Sequence, residues 1–360
     1  MTAVLNFNAG PAMLPPPVLA QVKEELLSYR GLGMSIMEMS HRSKEYEEIN
    51  QQASNSIRRL LGLGEDYQVL FLQGGASGQF AMIPMNFLPA GQSADYLVMG
   101  TWGEKAQEEA ANLGKANIAA STRSTNYSRV PEAGEICLDP KAAYIHITTN
   151  ETIHGVQWHT IPQLGDRPLV ADMSSDFLSR PVDGKRFDLI YAGAQKNIGP
   201  AGVVAVAIRQ AFLEKANKGI PTIFRYSTHA KNNSLYNTPP SLAVYVVNLV
   251  LQWIEKQGGL KAIEETNQKK ASLIYDCLDL SSGFYKGHAE PGSRSQMNIT
   301  FRLPSEDLEK EFVKQAQKEG MVGLAGHRSV GGIRASTYNA VPLSACQTLA
   351  DFMKTFAKRA

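Results

Sequence analysis

Between about residues 67 and 210 the chain alternates short apolar runs with amphipathic stretches. This alternation constrains the fold more than any other feature. Residues 67–72, 96–99, 145–148, 169–171, 189–191 and 203–208 are apolar runs of strand length. A strand buried on both faces shows no polar alternation, because helices cover each side of its sheet. Helical spacing fills 79–87 and about 103–113 between the runs. The pattern predicts βα units in a mainly parallel sheet, flanked by helices.

The flanks read differently. Val18, Val22, Leu26 and Leu27 share a helical face over 18–29, and Gly31-Leu32-Gly33 ends it. A longer helix is expected over 43–61, with Ser43 as its N-cap. After Pro239-Pro240 two long helices, 241–257 and 259–280, are split at Gly258-Gly259. The tail mixes a strand at 299–301, a helix at 305–317, a strand near Ile333 and a helix at 343–357. The expected class is α/β, with a large domain over 16–257. A smaller α+β domain is expected over 258–360, packed with segment 1–15.

Charge and cysteine usage exclude several functions. Lys plus Arg number 36 and Asp plus Glu 34, a formal net charge of +2. So balanced a chain has no global field to seek nucleic acid or an acidic membrane, and its ligands must be met by local charge. Cys137, Cys277 and Cys346 are far apart and odd in number, which suits reduced thiols in the cytoplasm. No charged n-region precedes a long apolar core, so no secretory leader is expected. No run reaches the ~20 apolar residues of a spanning helix. His154 and His159 are five apart and do not share a helix face. No metal site is expected.

Three features could carry chemistry. Gln73-Gly74-Gly75-Ala76-Ser77-Gly78-Gln79 follows an apolar strand and opens a helix. Small residues there would let a phosphate reach the free N–H groups of the helix start, although a tight turn needing only glycine reads equally well. Asp172 ends one strand and Lys196 follows another. In a parallel sheet such strand ends share one crevice. A lysine among small and apolar residues is desolvated, so its amine is poised as a Schiff-base nucleophile. A carboxylate beside it suits the pyridine nitrogen of pyridoxal phosphate. The three together favour that cofactor.

The chain resembles the phosphoserine aminotransferases, a family of fold-type-I pyridoxal-phosphate enzymes, essentially end to end. The resemblance is carried by Asn6-Phe7-Asn8-Ala9-Gly10-Pro11-Ala12, Met39-Ser40-His41-Arg42-Ser43, the Gly74 loop and Thr101-Trp102-Gly103. It continues in Thr149-Asn150-Glu151-Thr152-Ile153, Ala171-Asp172-Met173-Ser174-Ser175 and Tyr191-Ala192-Gly193-Ala194-Gln195-Lys196-Asn197. Tyr236-Asn237-Thr238-Pro239-Pro240 and the stretch from Gly326 to Ser336 complete it.

This resemblance implies roles residue by residue. Lys196 would carry pyridoxal 5'-phosphate and shuttle a proton, and Asp172 would pair with the pyridine nitrogen. Trp102 would stack on the ring and Thr152 would meet its hydroxyl. Gln195, Ala76 and Ser77 would lie at the cofactor phosphate, joined by Asn237 and Thr238 of a neighbouring subunit, so a homodimer with shared sites is implied. Arg334 would clamp an α-carboxylate. His41, Arg42, His327 and Arg328 would take the distal anion of O-phosphoserine, 3-phosphohydroxypyruvate, glutamate or 2-oxoglutarate. The 4-phosphohydroxythreonine reaction of pyridoxal phosphate biosynthesis is implied as a second use. Two departures stand out: Ala76-Ser77 replaces a common glycine-arginine pair, and His154 stands where an acidic residue is common. Related activities fit less well. A desulfurase needs a mobile nucleophilic cysteine, whereas Cys346 falls on the last expected helix. An alanine–glyoxylate aminotransferase would not need the second cationic cluster.

Overall fold

A computed structural model describes residues 4–359; residues 1–3 and 360, the outer ends of the expected small domain and its N-terminal segment, lie outside it. The centre is a seven-stranded sheet in the spatial order Tyr67–Gln73, Val203–Arg209, Leu189–Gly193, Leu169–Asp172, Ile145–Thr148, Ser93–Val98 and Lys115–Ser121. Neighbouring strands pair in parallel, except that Val203–Arg209 runs antiparallel to both of its neighbours.

The side-chain period of two divides the apolar residues between two cores. On one face Val203, Ala205 and Ala207 pack with Val69, Phe71, Ile190 and Ala171. On the other, Val204, Val206 and Ile208 pack with Leu70, Leu72, Tyr191 and Val170. Each fully buried Val, Leu or Ile contributes about 1.5–3 kcal/mol, which is why these runs hold the centre. The helices Lys44–Leu60 and Ser241–Lys256 cover the first face. Ser43 caps the former by accepting from Tyr46 N at 3.3 Å. The helix Ala76–Phe87 lies on the other face, and Thr101–Ala111 contributes Ala106 and Ala110 there.

Differences from the sequence expectations have local causes. The first helix is Pro16–Glu25, shorter than expected, and a 3-10 turn at Tyr29–Gly31 follows. The helix after the Gly74 loop begins at Ala76, not at 79, because Gly75 already serves as its N-cap. The strand Lys115–Ser121 was not expected; half of it faces solvent at the sheet edge.

Beyond Gly258 a third core forms around Ile299, Phe301, Phe312, Leu349 and Met353, and Phe7 from the N-terminus enters it. Its sheet is Lys286–Gly287, Asn298–Arg302 and Ile333–Ser336, all antiparallel. Leu5–Asn6 pairs in parallel with Met321–Val322. Chain ends distant in sequence are thereby joined. Among the described residues no helix is long and apolar enough to cross a membrane, and no group of three or more potential ligands could hold a metal ion.

Candidate active site

The ends of the parallel strands and the N-terminus of the Ala76–Phe87 helix enclose a cavity of about 280 Å³. Ala76, Ser77, Trp102, Thr152, Asp172, Gln195, Lys196, His327 and Arg334 all line it. Residues from opposite ends of the chain thus converge where a parallel sheet opens its crevice.

Lys196 sits on a loop held from several sides. Ala194 N donates to Val203 O at 3.0 Å, and Gly199 N returns to Ala194 O at 2.8 Å. Asn197 donates to Ser175 O at 3.1 Å and accepts from Asn339 N at 3.0 Å. A Cβ on Gly199 would lie 2.6 Å from Val247 Cγ2, so the loop packs too tightly there for a side chain. The Lys196 amine donates to Thr152 Oγ1 at 2.6 Å and lies 5.6 Å from the centre of the Trp102 ring. Burial lowers its pKa from the usual lysine value; Asp172 and Glu151 oppose that shift, while Arg334 adds to it.

Asp172 is 4% exposed, and one carboxylate oxygen accepts from Ser174 N at 2.8 Å. Burial raises its pKa, against the pull of the Lys196 amine. Trp102 forms part of the cavity wall, and its first-turn amides meet a buried carboxylate. Arg334 reaches the cavity from the Ile333–Ser336 strand, and burial lowers its pKa below the usual arginine value. Its Nη1 contacts Thr152 O at 3.5 Å, and its Nε has no partner among the described residues.

Three buried polar atoms bear on what this cavity holds. Trp102 Nε1, Gln195 Oε1 and Arg334 Nε lack partners among the described residues, although each residue lines the space. Buried polar groups normally find partners, so a polar ligand in the cavity is the natural complement. An amine, a carboxylate, an aromatic wall and small residues at a helix N-terminus fit a planar, phosphorylated aldehyde such as pyridoxal phosphate.

Other expected residues lie elsewhere in the single chain. Arg42 and Arg328 are exposed, His41 is half-buried, and none of the three lines the cavity. Asn237 and Thr238 are likewise outside it; Gln73 donates to Thr238 O at 2.6 Å. The resemblance assigned Asn237 and Thr238 to a second subunit. His154 is buried against Tyr127 and His288, with ring centres 5.0 and 5.6 Å apart. Cys346 is fully buried on the last helix, and burial pushes its thiol up to about 11. A thiol so placed cannot act as a mobile nucleophile.

Glu151, Thr148, Asn150 and Ser174 were not singled out from the sequence. Thr148, Asn150 and Ser174 line the cavity. Asn150, Glu151 and Ser174 fall inside stretches that carry the family resemblance but received no role there; for Thr148 the signal was position alone, at the end of the Ile145–Thr148 strand.

The aminotransferase class-V family profile matches residues 4–349. A phosphoserine aminotransferase of Herpetosiphon aurantiacus is 55% identical over 356 residues, covering 99% of each chain. The solved phosphoserine aminotransferase of Bacillus circulans subsp. alkalophilus superposes with a TM-score of 0.98 at 54% identity, over 100% of this chain and 99% of that one. A phosphoserine aminotransferase of Trichomonas vaginalis, solved with pyridoxal phosphate bound, gives a TM-score of 0.93 at 38% identity over 98% and 99% of the two chains. With the cavity geometry and end-to-end similarity agreeing, the chain belongs to the class-V aminotransferases, and within them to the phosphoserine aminotransferases.

Proposed function

We propose that this chain moves an amino group reversibly between glutamate and 3-phosphohydroxypyruvate, yielding 2-oxoglutarate and O-phospho-L-serine, with pyridoxal 5'-phosphate held in the cavity. The observation that carries this reading is the meeting of Lys196, Asp172 and Arg334 in one enclosed space. Pyridoxal phosphate, when bound, supplies an electron-withdrawing ring that makes the α-proton of an amino acid labile.

The chain's own groups divide the remaining work. Lys196 Nζ, its pKa lowered by burial, is a base that can take and return that proton, and Thr152 Oγ1 holds it in place. Asp172 offers a fixed negative charge to the ring nitrogen, with Ser174 N orienting one of its oxygens. Trp102 gives the ring an aromatic face. Ala76, Ser77 and Gln195 would meet the cofactor phosphate, helped by the free N–H groups of the first helical turn.

Arg334 suits the α-carboxylate, because a guanidinium can pair with it through two hydrogen bonds. His327 sits beside it in the same cavity. The distal phosphate or γ-carboxylate would be met by His41, Arg42 and Arg328. Arg42 and Arg328 are exposed in the single chain, which supports a homodimer in which some of these groups, with Asn237 and Thr238, cross to the other site. The same reading divides the chain into a large domain of residues 16–257 and a small domain of residues 258–360 with segment 1–15, the latter bringing Arg334 and His327. It places the enzyme in the cytoplasm, in serine biosynthesis, with 4-phosphohydroxythreonine as a further substrate.

A half-reaction tests the reading. The purified, cofactor-loaded protein is mixed in turn with O-phosphoserine, serine, alanine and aspartate, and the visible spectrum of the cofactor is followed. O-Phosphoserine should convert it at the lowest concentration. An equal response to alanine would defeat the assignment.

A further inference from the structure

Glu151 is the least expected charge near the cavity. It is wholly buried, yet it makes no ion pair among the described residues; its two carboxylate oxygens accept from backbone amides. Oε1 takes the Gly103 N–H at 2.8 Å and Oε2 takes the Trp102 N–H at 3.2 Å. Both donors belong to the first turn of the Thr101–Ala111 helix, where amides have no partner within the helix. The contact leaves no slack. A Cβ on Gly100 would lie 2.4 Å from the Glu151 carboxyl carbon and 2.7 Å from Oε2.

The backbone of Glu151 is equally constrained. Asn150–Glu151 pairs antiparallel with Val156–Gln157, and Gly155 N donates to Glu151 O at 2.8 Å. The next residue, Thr152, accepts from the Lys196 amine at 2.6 Å. Consecutive residues of one short hairpin therefore hold the Trp102 segment and the lysine amine. Beside that hairpin the Trp102 ring centre and Lys196 Nζ stand 5.6 Å apart.

We propose that Glu151 is a positioning residue: its carboxylate fixes the first turn of the Thr101–Ala111 helix and with it the place of Trp102 in the cavity wall, where it would face a bound cofactor. The inference rests on the reading of the cavity as a pyridoxal-phosphate site. Burial raises the Glu151 pKa to about 7, while the two amide donors pull it back down. The ionised form, which keeps both oxygens as acceptors, is the one that holds the turn.

The test uses the full chain freed of cofactor, in a background carrying Trp158→Phe and Trp253→Phe, so that Trp102 is the only tryptophan of the original three. Pyridoxal phosphate is titrated in, and both cofactor absorbance and quenching of Trp102 fluorescence are recorded. Glu151→Ala should weaken cofactor binding roughly tenfold or more, the scale of losing hydrogen bonds to a buried charge, and should reduce the final quenching. Glu151→Gln, which keeps one oxygen acceptor, should fall between it and the parent. A role confined to stability would lower the melting temperature while leaving affinity and quenching unchanged, and that result overturns the proposal. If Glu151→Ala does not fold, Gly100→Ala displaces the carboxyl from the other side and should give the same two changes; binding and quenching equal to the parent's overturn the proposal. A parent chain that takes up no pyridoxal phosphate would overturn the site reading as well, whereas normal binding by parent and variants alike defeats only the role of Glu151.

Discussion

Lys270 offers a sharp test of how burial shapes this molecule. It is fully buried in the Gly259–Asp279 helix, with no carboxylate paired to it among the described residues. Its amine donates to Thr337 O and Tyr338 O, each at 2.8 Å. These carbonyls directly follow the strand that carries Arg334. Burial lowers the lysine from 10.5 to about 8, with Cys346 opposing the shift. The sign follows from proton counting. Below the folded value the amine is charged in both states, so it adds no pH dependence. Between the folded and unfolded values the unfolded chain binds more protons, and stability rises with pH. Each unit is worth about 1.4 kcal/mol, so the full gain is about 3 kcal/mol, of which about 2 kcal/mol appears between about pH 7 and about pH 9.5. Other groups titrate over this range, notably tyrosines whose pKa values burial raises, so the parent alone is ambiguous. Lys270→Met removes this titration together with the two hydrogen bonds, and the pH-independent part of that loss cancels when the two pH values are compared. Urea unfolding of the loaded protein and the variant at the two pH values isolates it. The parent should gain about 2 kcal/mol relative to the variant on going to the higher pH. Parallel behaviour of the two, within a few tenths of a kcal/mol, would refute the argument that burial depresses this amine.

Two further outcomes follow from the site and its supports. Arg334→Ala removes a bidentate partner worth about 3 kcal/mol, so KM for O-phosphoserine and glutamate should rise roughly 100-fold while cofactor affinity holds. Steady-state kinetics with a cofactor titration checks this, and an unchanged KM would remove Arg334 from the carboxylate role. Gly155→Ala should cost about 3 kcal/mol, since its φ of +71° disfavours a side chain and the new Cβ would meet Asn298 O at 2.6 Å. Urea unfolding measures the loss, and a change below about 1 kcal/mol would contradict the packing argument.

The legible residues share a physical property: they sit where an apolar run stops. Asp172 and Lys196 are polar groups just past runs buried on both faces, and such runs announce themselves in one dimension. The direction of Val203–Arg209 was hidden, because a strand buried on both faces has the same side-chain pattern whichever way it runs. The edge strand Lys115–Ser121 was hidden for the opposite reason, since partial exposure permits Lys, Asn and Ala where inner strands need large apolar groups. Glu151 received no role because its partners are backbone amides 48 and 49 residues earlier, and an amide has no side chain to mark it. The net charge of +2 shows the same limit. It excludes a global field, but only folding shows which cations gather. Arg334 and His327 enter the cavity, whereas Arg42 and Arg328 stay exposed in one chain. If two copies share their sites, the cationic pocket is a property of the pair. A variant that disrupts pairing should then lose affinity for the dianion before it loses the fold around Lys196.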